Sequence, residues 1–207
     1  MKNTFSKGFT LVELLIVITI LAALAAAVVV VLNPAELLAQ ARDAQRLSDM
    51  TTMRDAVNLF ITQVIIRPTT PLLCSPAGTH IETGCTAGHC TFAHAAGGSP
   101  FFPATCTVPG TAAVRLINGT GWVTANLTNM HGGSPVAALP IDPVNNATFF
   151  YAFRADGVNN TFRLATRLES VRHRGMMIAD GGPRSTCSTF IEPACFFEVG
   201  TNMVVGF

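Results

Sequence analysis

The chain has 207 residues, of which 49% are apolar and 12% are charged, and its formal net charge is +1. This length provides one folded domain with an appendage, or at most two small domains. The near-neutral net charge gives no indication of a nucleic-acid-binding protein held by bulk positive charge, and nucleic acid stays open as a partner. The apolar residues are concentrated near the N-terminus, which points to a membrane segment.

The first predicted element is a long apolar helix. Taken from Phe9 to Leu32, it is about 36 Å long at ~1.5 Å per residue, enough to cross a bilayer core of about 30 Å. Lys2 and Lys7 precede it, and every later cation is Arg. We therefore expect the N-terminus to stay in the cytoplasm and the rest of the chain to lie outside. A buried core helix is the alternative, but this length is unusual for one.

Glu13 lies inside the apolar run, where a charge is costly. A secretory signal peptide has an apolar stretch of ~7–15 residues and a small-residue cleavage site, which "AALAAA" (22–27) would supply. Glu13 interrupts that stretch, however, and cleavage there leaves an apolar run at the new N-terminus. A plain membrane anchor accounts for the length but not for the carboxylate, unless Glu13 snorkels to the membrane edge.

The stretch "KGFTLVELLIVITILAALAAA" (7–27) resembles the N-terminus of type IV pilins and of the pseudopilins of type II secretion. In that family a prepilin peptidase cuts after a Gly that precedes a Phe and methylates the new N-terminal amine. The resemblance implies that residues 1–8 are a cytoplasmic leader, that Gly8 precedes the cut and that Phe9 becomes the methylated N-terminus. It also implies that Glu13 is a docking residue, without a partner in the isolated subunit and paired with the neighbouring subunit's N-terminal amine during assembly.

Residues 9–33 are then the transmembrane or filament-core half of the stem. Pro34 cannot extend a preceding helix without losing a hydrogen bond, and Asn33 before it disfavours helical dihedrals. The same stretch is also a good helix start, with Asn33 as N-cap, Pro34 at the first position and Glu36 at the third. We expect the stem to kink or melt locally at Asn33 and Pro34 and then to restart.

Residues 34–67 are predicted to form the amphipathic half of the helix. Apolar residues spaced by three and four form a stripe: Met50, Met53, Val57, Phe60 and Val64. Charged residues occupy its other faces: Arg42, Arg46, Asp49 and Arg54. The apolar stripe should pack on a globular head, and Arg67-Pro68 should end the helix.

Residues 68–207 form the predicted head, in which 68–109 is a loop region rich in Pro, Gly, Thr and Cys. Strands are predicted at 111–117, 121–127, 147–154 and 161–169. In the last of these, Phe162, Leu164 and Leu168 alternate with Arg163, Arg167 and Glu169. "ADGVNN" supplies an Asp-Gly turn, so the last two strands should form an antiparallel hairpin. The fold class is therefore α+β, matching the pilin fold, a long kinked helix packed on an antiparallel sheet.

All six cysteines follow the stem: Cys74, Cys85, Cys90, Cys106, Cys187 and Cys195. An even number in an exported domain predicts three disulfides, whose connectivity the residues leave open. The resemblance implies a Cys187–Cys195 pair like the disulfide-bounded loop of pilins, with the other four pairing among themselves.

Other motifs carry weaker signals. Zinc-type ligands gather at His80, Cys85, His89, Cys90 and His94, but their spacing fits no standard finger. Oxygen ligands for calcium, as in some pseudopilins, occur at Asp156, Asn159 and Asn160, where a plain turn is the favoured interpretation. N-x-Thr sequons begin at Asn118, Asn126, Asn146 and Asn159. No nucleophile, base and orienting group stand out together, so we predict neither an enzyme nor a cofactor or metal.

The resemblance implies a structural subunit of a type IV pilus. Such a subunit is stored in the inner membrane as a single-pass precursor with its head outside, and then polymerises into a helical filament at the cell surface. Its implied partners are identical subunits, the prepilin peptidase, the inner membrane, and the assembly platform and ATPase. The alternatives are a pseudopilin of type II secretion, or a minor or anchored pilin-like module for adhesion or DNA capture. The predicted kink and the cysteine-rich head favour the pilin.

Overall fold

A computed structural model describes residues 8–63, 89–93, 109–156, 160–182 and 195–201. The chain divides into two compact units, Met1–Ala39 and Gln40–Phe207. The helices are α1 (Leu11–Leu32), α2 (Pro34–Gln63), a 3-10 turn (Leu127–Asn129) and α3 (Met176–Ala179). The strands are β1 (His89–Phe92), β2 (Ala152–Asp156), β3 (Thr161–Thr166) and β4 (Phe197–Gly200).

The stem consists of two helices separated at Asn33. α1 ends at Leu32, and Asn33 takes a left-handed conformation with φ 41°, which Asn tolerates better than most residues. α2 begins directly at Pro34, and the Asn33 Oδ1 atom accepts a hydrogen bond from the Glu36 amide at 3.4 Å. The amides of Glu36 and Leu37 also donate to the Asn33 carbonyl oxygen, at 3.0 and 3.3 Å. The predicted kink or local melting of the stem stays a prediction.

The head contains a four-stranded antiparallel sheet in the order β1-β2-β3-β4. The predicted hairpin is present as β2 and β3, with Phe153 opposite Leu164 and Ala155 opposite Phe162. A long N-terminal helix followed by an antiparallel sheet confirms the α+β class and is consistent with the pilin fold.

The apolar stripe of α2 packs into the head's main hydrophobic core. Met50, Met53, Val57 and Phe60 are at most 2% exposed, which confirms the predicted stripe for these four residues; Val64 lies outside the described residues. The same core contains sheet and loop residues: Trp122, Tyr151, Phe153, Phe162 and Leu164. Burial of each such side chain contributes about 1.5–3 kcal/mol, so this contact is a principal reason why α2 stays on the head.

Two of the four predicted strands are wrong. Residues 111–117 and 121–127 form turns and bends. An isolated bridge between Asn118 and Asn126 lies between them, and the amides of Trp122 and Leu127 donate to the carbonyl oxygens of Val114 and Ile117 at 3.2 and 2.8 Å, without forming a strand ladder. The Asn118 Oδ1 atom accepts from the Thr120 amide at 3.1 Å, and Asn126 binds Thr128 in the same way. Such side-chain bonds offer the backbone an alternative to a strand ladder.

Three other strand assignments also need correction. The strand predicted at 147–154 begins only at Ala152, and β4 was not predicted. β1 lies inside 68–109, which was predicted to be loop, and it pairs with β2 from His89 opposite Ala155 to Phe92 opposite Ala152. Short strands of four residues carry too little periodicity to be distinguished from the surrounding Thr- and Cys-rich sequence.

The alternation in β3 does not separate a buried face from a solvent face. Phe162 and Leu164 enter the main core as expected, but Arg163 and Arg167 are also buried, at 0% and 2% exposure. Both faces of the strand are therefore covered, and the polar face is covered by charged and aromatic partners.

Candidate docking segment and the charged core of the head

The docking segment (Gly8–Glu13) is exposed and enters the helix through a side-chain cap. Gly8, Phe9 and Thr10 precede the helix, and Phe9 is 85% exposed. Thr10 has an extended conformation, and its hydroxyl accepts a hydrogen bond from the Glu13 amide at 3.3 Å. The predicted Gly8–Phe9 cleavage bond therefore lies in accessible, non-helical backbone, as a peptidase requires. Cleavage itself stays a prediction.

Glu13 completes a capping box with Thr10. The Glu13 Oε2 atom accepts hydrogen bonds from the Thr10 amide at 3.0 Å and from the Thr10 hydroxyl at 2.8 Å. This arrangement satisfies amide donors that a helix start otherwise leaves without partners. The carboxylate also lies in the first turn, where the helix dipole favours a negative charge.

The expectation that Glu13 has no partner in an isolated subunit is therefore wrong for the uncleaved chain. Thr10 binds one oxygen of the carboxylate within the same molecule. A carboxylate offers about four acceptor positions, so Glu13 can keep its hydrogen bonds from Thr10 and also accept hydrogen bonds from a cationic amine. The sequence contained the signal, because Thr10-Leu11-Val12-Glu13 matches the Thr-x-x-Glu pattern of a capping box.

The helix that follows exposes its apolar side chains. Leu11–Val29 is long and apolar enough to cross a membrane, and none of it is buried. Its large apolar side chains range in exposure from 47% at Val17 to 79% at Leu11. The polar group of Thr19 is satisfied within the helix, since its hydroxyl donates to the Ile16 carbonyl oxygen at 2.8 Å. Such a helix needs an apolar environment, either lipid or the stems of other subunits.

The head contains a group of charged side chains that the sequence pattern did not reveal. We call it the Arg46 cluster: Arg42, Asp43, Arg46, Asp142 and Glu169. Arg46, predicted to lie on a face away from the core stripe, is fully buried. Its Nε and Nη2 atoms donate to the two Asp142 oxygens at 2.7 and 3.0 Å. Its Nη1 atom donates to Asp43 at 2.8 Å and to Glu169 at 3.3 Å.

The cluster ties α2 to two loops of the head. Asp43 accepts hydrogen bonds from the amides of Glu169 at 2.9 Å and Ser170 at 2.7 Å. Asp142 also caps its own turn by accepting from the Val144 amide at 2.8 Å. Because the bidentate Arg46–Asp142 pair has a fixed geometry, it sets the register of α2 against the head.

The charges in the cluster stabilise one another. Burial alone would raise the pKa of Asp43, but hydrogen bonds from Ser170, the Glu169 amide and Arg46 hold that pKa below its usual value. The hydrogen bond from Arg42 is the main reason why the pKa of Glu169 is also lowered. Burial would lower the pKa of Arg46, yet its bonds to the carboxylates raise it. Asp43, Arg46 and Glu169 therefore favour their charged forms at neutral pH.

Further buried polar contacts support the same region of the head. The Tyr151 hydroxyl donates to Asp49 at 2.8 Å, and the Trp122 indole donates to the Pro140 carbonyl oxygen at 2.8 Å. Burial raises the pKa of Asp49 despite the bond from Tyr151. Asp49 was another charged residue that the sequence placed away from the core stripe.

A second charged group covers the polar face of β3. The Arg163 Nη1 atom lies 3.4 Å from the Glu198 Oε1 atom, and both side chains are fully buried. Arg167 lies over the Phe196 ring at 4.9 Å and donates to the Cys195 carbonyl oxygen at 3.3 Å. Burial lowers the pKa of Arg167 to about 10. These contacts join β3 to β4 and explain why arginines alternate with apolar residues in a buried strand.

A serine, a histidine and an aspartate meet beside the Arg46 cluster, but not as a catalytic triad. The His173 Nδ1 atom lies 3.1 Å from the Ser170 Oγ atom and 3.7 Å from the Asp43 Oδ2 atom. In a triad the serine and the carboxylate contact different ring nitrogens, whereas here both face Nδ1. Ser170 is also fully buried. The arrangement is that of a turn, in which the Ser170 Oγ atom accepts from the His173 amide at 3.2 Å.

The predicted cysteine and metal residues are only partly within the described chain. Cys195 is buried and disulfide-bonded, but its predicted partner Cys187 lies outside the described residues, and so do Cys74, Cys85 and Cys106. The pairings therefore stay predictions. Of the zinc-type residues, His89 and Cys90 lie in β1, and the rest are outside.

Of the calcium-type residues, Asp156 ends β2 and Asn160 has φ 50°, while Asn159 is outside. The described ranges contain no group of three or more His, Cys, Asp or Glu residues placed to hold a metal ion.

Comparison with known families identifies the N-terminal segment. Residues 4–29 match the family described as the prokaryotic N-terminal methylation motif. This motif is the class III signal peptide of type IV pilins and pseudopilins, so the predicted resemblance is confirmed. The match includes the Gly8–Phe9 bond and Glu13, and it implies a substrate of a prepilin peptidase. Neither the curated proteins nor the solved structures yield a match to the chain.

Proposed function

We propose that the chain is the precursor of a type IV pilus subunit that polymerises through its N-terminal helix. The observation that carries the proposal is a carboxylate, Glu13, in the first turn of a helix whose apolar side chains are exposed from Leu11 to Val29. The methylation motif supports the coarser class, a type IV pilin-like or pseudopilin precursor.

Processing is the first step of the proposed mechanism. A prepilin peptidase cleaves between Gly8 and Phe9, which removes Lys2 and Lys7 and creates a positive amine at Phe9. Without those lysines the cytoplasmic anchor of the helix is lost, and the helix can leave the bilayer for a filament. The exposed, non-helical backbone before Leu11 is the feature that supports this step.

Docking is the second step. An unpaired carboxylate in a membrane costs several kcal/mol, and a cation brought to it in a low-dielectric environment is bound more strongly than in water. Thr10 occupies one Glu13 oxygen and holds the side chain at the start of the helix. The neighbouring subunit's amine then adds to the same carboxylate, so that Thr10 positions Glu13 rather than competing for it.

Apolar contact keeps the stem out of water after it leaves the membrane. Each exposed Leu, Ile or Val of α1 needs either lipid or a neighbouring stem, and packing in a filament replaces the lipid. Because the side chains are out of water in both environments, this exchange has little hydrophobic driving force of its own. The ion pair distinguishes the docked stem from the stem in lipid, and it specifies the axial register.

The test separates charge from helix capping. Glu13→Gln keeps a side chain that completes a capping box but removes the charge. We expect its precursor to be inserted and cleaved normally, with a mature N-terminus at Phe9 by mass spectrometry, but to assemble poorly when filaments are sheared from cells and quantified. Thr10→Ser is the matched control, because it keeps the cap and should assemble like the unaltered protein.

Normal assembly of Glu13→Gln would contradict the docking role. Assembled subunits that begin at Met1 would contradict the processing step. Electron microscopy completes the test, since long fibres of this chain support a pilus subunit. Short fibres, or none under any condition, favour a pseudopilin or an anchored module.

A further inference from the structure

The loop region before β2 contains three N-x-Thr sequons whose asparagines have similar local structures. In each, the Asn Oδ1 atom accepts a hydrogen bond from the amide of the Thr two residues later. The sequons begin at Asn118, Asn126 and Asn146; the fourth, at Asn159, lies outside the described residues. A sequon in an exported domain is the acceptor sequence for N-linked glycans.

Asn118 is an exposed sequon asparagine that is bound by its own sequon hydroxyl. Its side chain is exposed, and its Oδ1 atom accepts from both the amide and the hydroxyl of Thr120, at 3.1 and 2.6 Å. These two bonds orient the amide so that the Nδ2 atom is the group left for a partner. Within the described part of the chain no residue accepts a hydrogen bond from Nδ2. The intervening Gly119 has φ 88° and adds no side chain beside the acceptor.

The other two sequons are less suitable. Asn126 is half-buried and caps the 3-10 turn that follows it, so its side chain serves the fold. Asn146 is exposed, but its Oδ1 atom accepts from two backbone amides, those of Thr148 and Phe149, both at 2.9 Å. Asn118 alone of these three combines an exposed position with a bond from the sequon hydroxyl.

We propose that Asn118 is the acceptor for an N-linked glycan delivered from a polyprenyl-diphosphate carrier on the outer side of the membrane. Donation from Thr120 to Oδ1 draws electron density toward the carbonyl and makes the Nδ2 protons more acidic. Nδ2 attacks the anomeric carbon of the carrier-bound sugar and forms a C–N bond. The C–O bond to the diphosphate breaks, the diphosphate leaves with the electron pair, and one Nδ2 proton passes to the transferase.

The proposal rests on the proposed export of the head, but not on filament assembly. A hydrophilic glycan at Asn118 would add polar surface two residues along the chain from Leu116, which is 44% exposed. The modification would therefore improve the solubility of the head surface without contributing to its core.

The experiment is intact-mass and glycopeptide analysis of the full-length protein purified from its native cells. We expect a mass excess over the processed polypeptide, located on the peptide that contains Asn118. Asn118→Asp keeps the Oδ1 acceptor and hence the turn, but it removes the amide nitrogen, so the glycan at this site should be lost completely. Thr120→Ser should keep the glycan and Thr120→Val should lose it. Asn129→Asp is the control, since Asn129 is exposed but outside any sequon, and it should leave the mass excess unchanged.

An unmodified Asn118 in protein whose N-terminus is correctly processed would overturn the proposal and leave the proposed function intact, with Asn118 serving only as a turn. A glycan that persists in Asn118→Asp would also overturn it, because the sugar would then be attached elsewhere. A chain that retains its leader would instead contradict the proposed function, through the processing step.

Discussion

Replacing Arg46 tests whether the charged cluster holds α2 on the head. Arg46→Met keeps most of the side-chain volume but removes the guanidinium, which makes four hydrogen bonds to three carboxylates. Asp43 and Asp142 are fully buried, so the change leaves buried negative charges without their cation. Removing one partner of a buried ion pair costs about 3–5 kcal/mol, a large fraction of a domain stability of ~5–15 kcal/mol.

The assay is urea unfolding of the full-length protein in detergent, followed by the fluorescence of Trp122. This is the only tryptophan in the chain; it is fully buried and lies 5.7 Å from the Tyr151 ring, centroid to centroid. With a denaturant slope of about 2 kcal/mol per molar urea, the expected midpoint shift is roughly 2 M. Arg54→Met is the matched control on the same helix, because Arg54 pairs with exposed Asp55 and such pairs contribute ~0–1 kcal/mol.

A midpoint shift for Arg46→Met no larger than that for Arg54→Met would refute this reasoning. The double variant Arg46→Met/Asp142→Asn provides a second criterion. Because the two side chains bind each other, their combined loss should fall short of the sum of the single losses by about 0.5–3 kcal/mol. If the two single losses of stability simply add, the Arg46–Asp142 pair does not couple α2 to the loop that contains Asp142.

Two more predictions concern the stability of the head. Hydrogen bonds lower the pKa of Asp43 in the folded protein against the opposing effect of burial. The stability that ionised Asp43 contributes is therefore complete above its unfolded pKa of about 4, and it is lost as the pH falls through the lower folded pKa. Measurements of unfolding free energy against pH should show this loss, and Asp43→Asn should flatten that pH profile. If the stability of Asp43→Asn depends on pH in the same way as that of the unaltered protein, the lowered pKa of Asp43 is not the cause of the pH dependence. Gly200→Ala should destabilise the head by about 1–3 kcal/mol, because the added Cβ atom would meet the Phe162 carbonyl oxygen across the β3–β4 ladder. Gly175→Ala is the control: its added Cβ atom meets nothing within 4 Å, so the change should be nearly neutral. Thermal melts of both variants check this, and equal melting temperatures would contradict it.

Features encoded by local periodicity could be predicted from the sequence. The apolar run predicts α1, and the spacing of Met50, Met53, Val57 and Phe60 predicts the buried face of α2. The Asp-Gly pair in the sequence predicts the β2–β3 pairing. Each signal involves residues close in sequence, and no competing local interaction opposes it.

Features decided by local competition or by distant partners were missed. Residues 111–127 have the composition of strands, but the side chains of Asn118 and Asn126 bind backbone amides and produce turns. Arg46 looks like any surface arginine of an amphipathic helix, because its partner Asp142 is far away in sequence. Whether such an arginine is buried depends on tertiary contacts that no local pattern contains.

The family resemblance of the N-terminal segment is confirmed by the methylation motif at residues 4–29, whereas the roles of Gly8, Phe9 and Glu13 stay predictions. The predicted local chemistry of the segment was incomplete. The capping box of Thr10 and Glu13 follows a known local pattern, but Glu13 was interpreted from the sequence only as a charge in an apolar run. Its capping of the first helical turn was not predicted. The carboxylate is stabilised at that position before any neighbour arrives.

The central claim is that the Glu13 carboxylate receives the amine created at Phe9 of a neighbouring subunit. A density map of assembled filaments, at a resolution that shows side chains, tests it most directly. We predict a Glu13 oxygen within ~4 Å of the neighbouring Phe9 nitrogen, the usual limit for an ion pair, with Thr10 still bound to the same carboxylate. A map in which Glu13 faces only apolar side chains, with no amine in reach, would contradict the account.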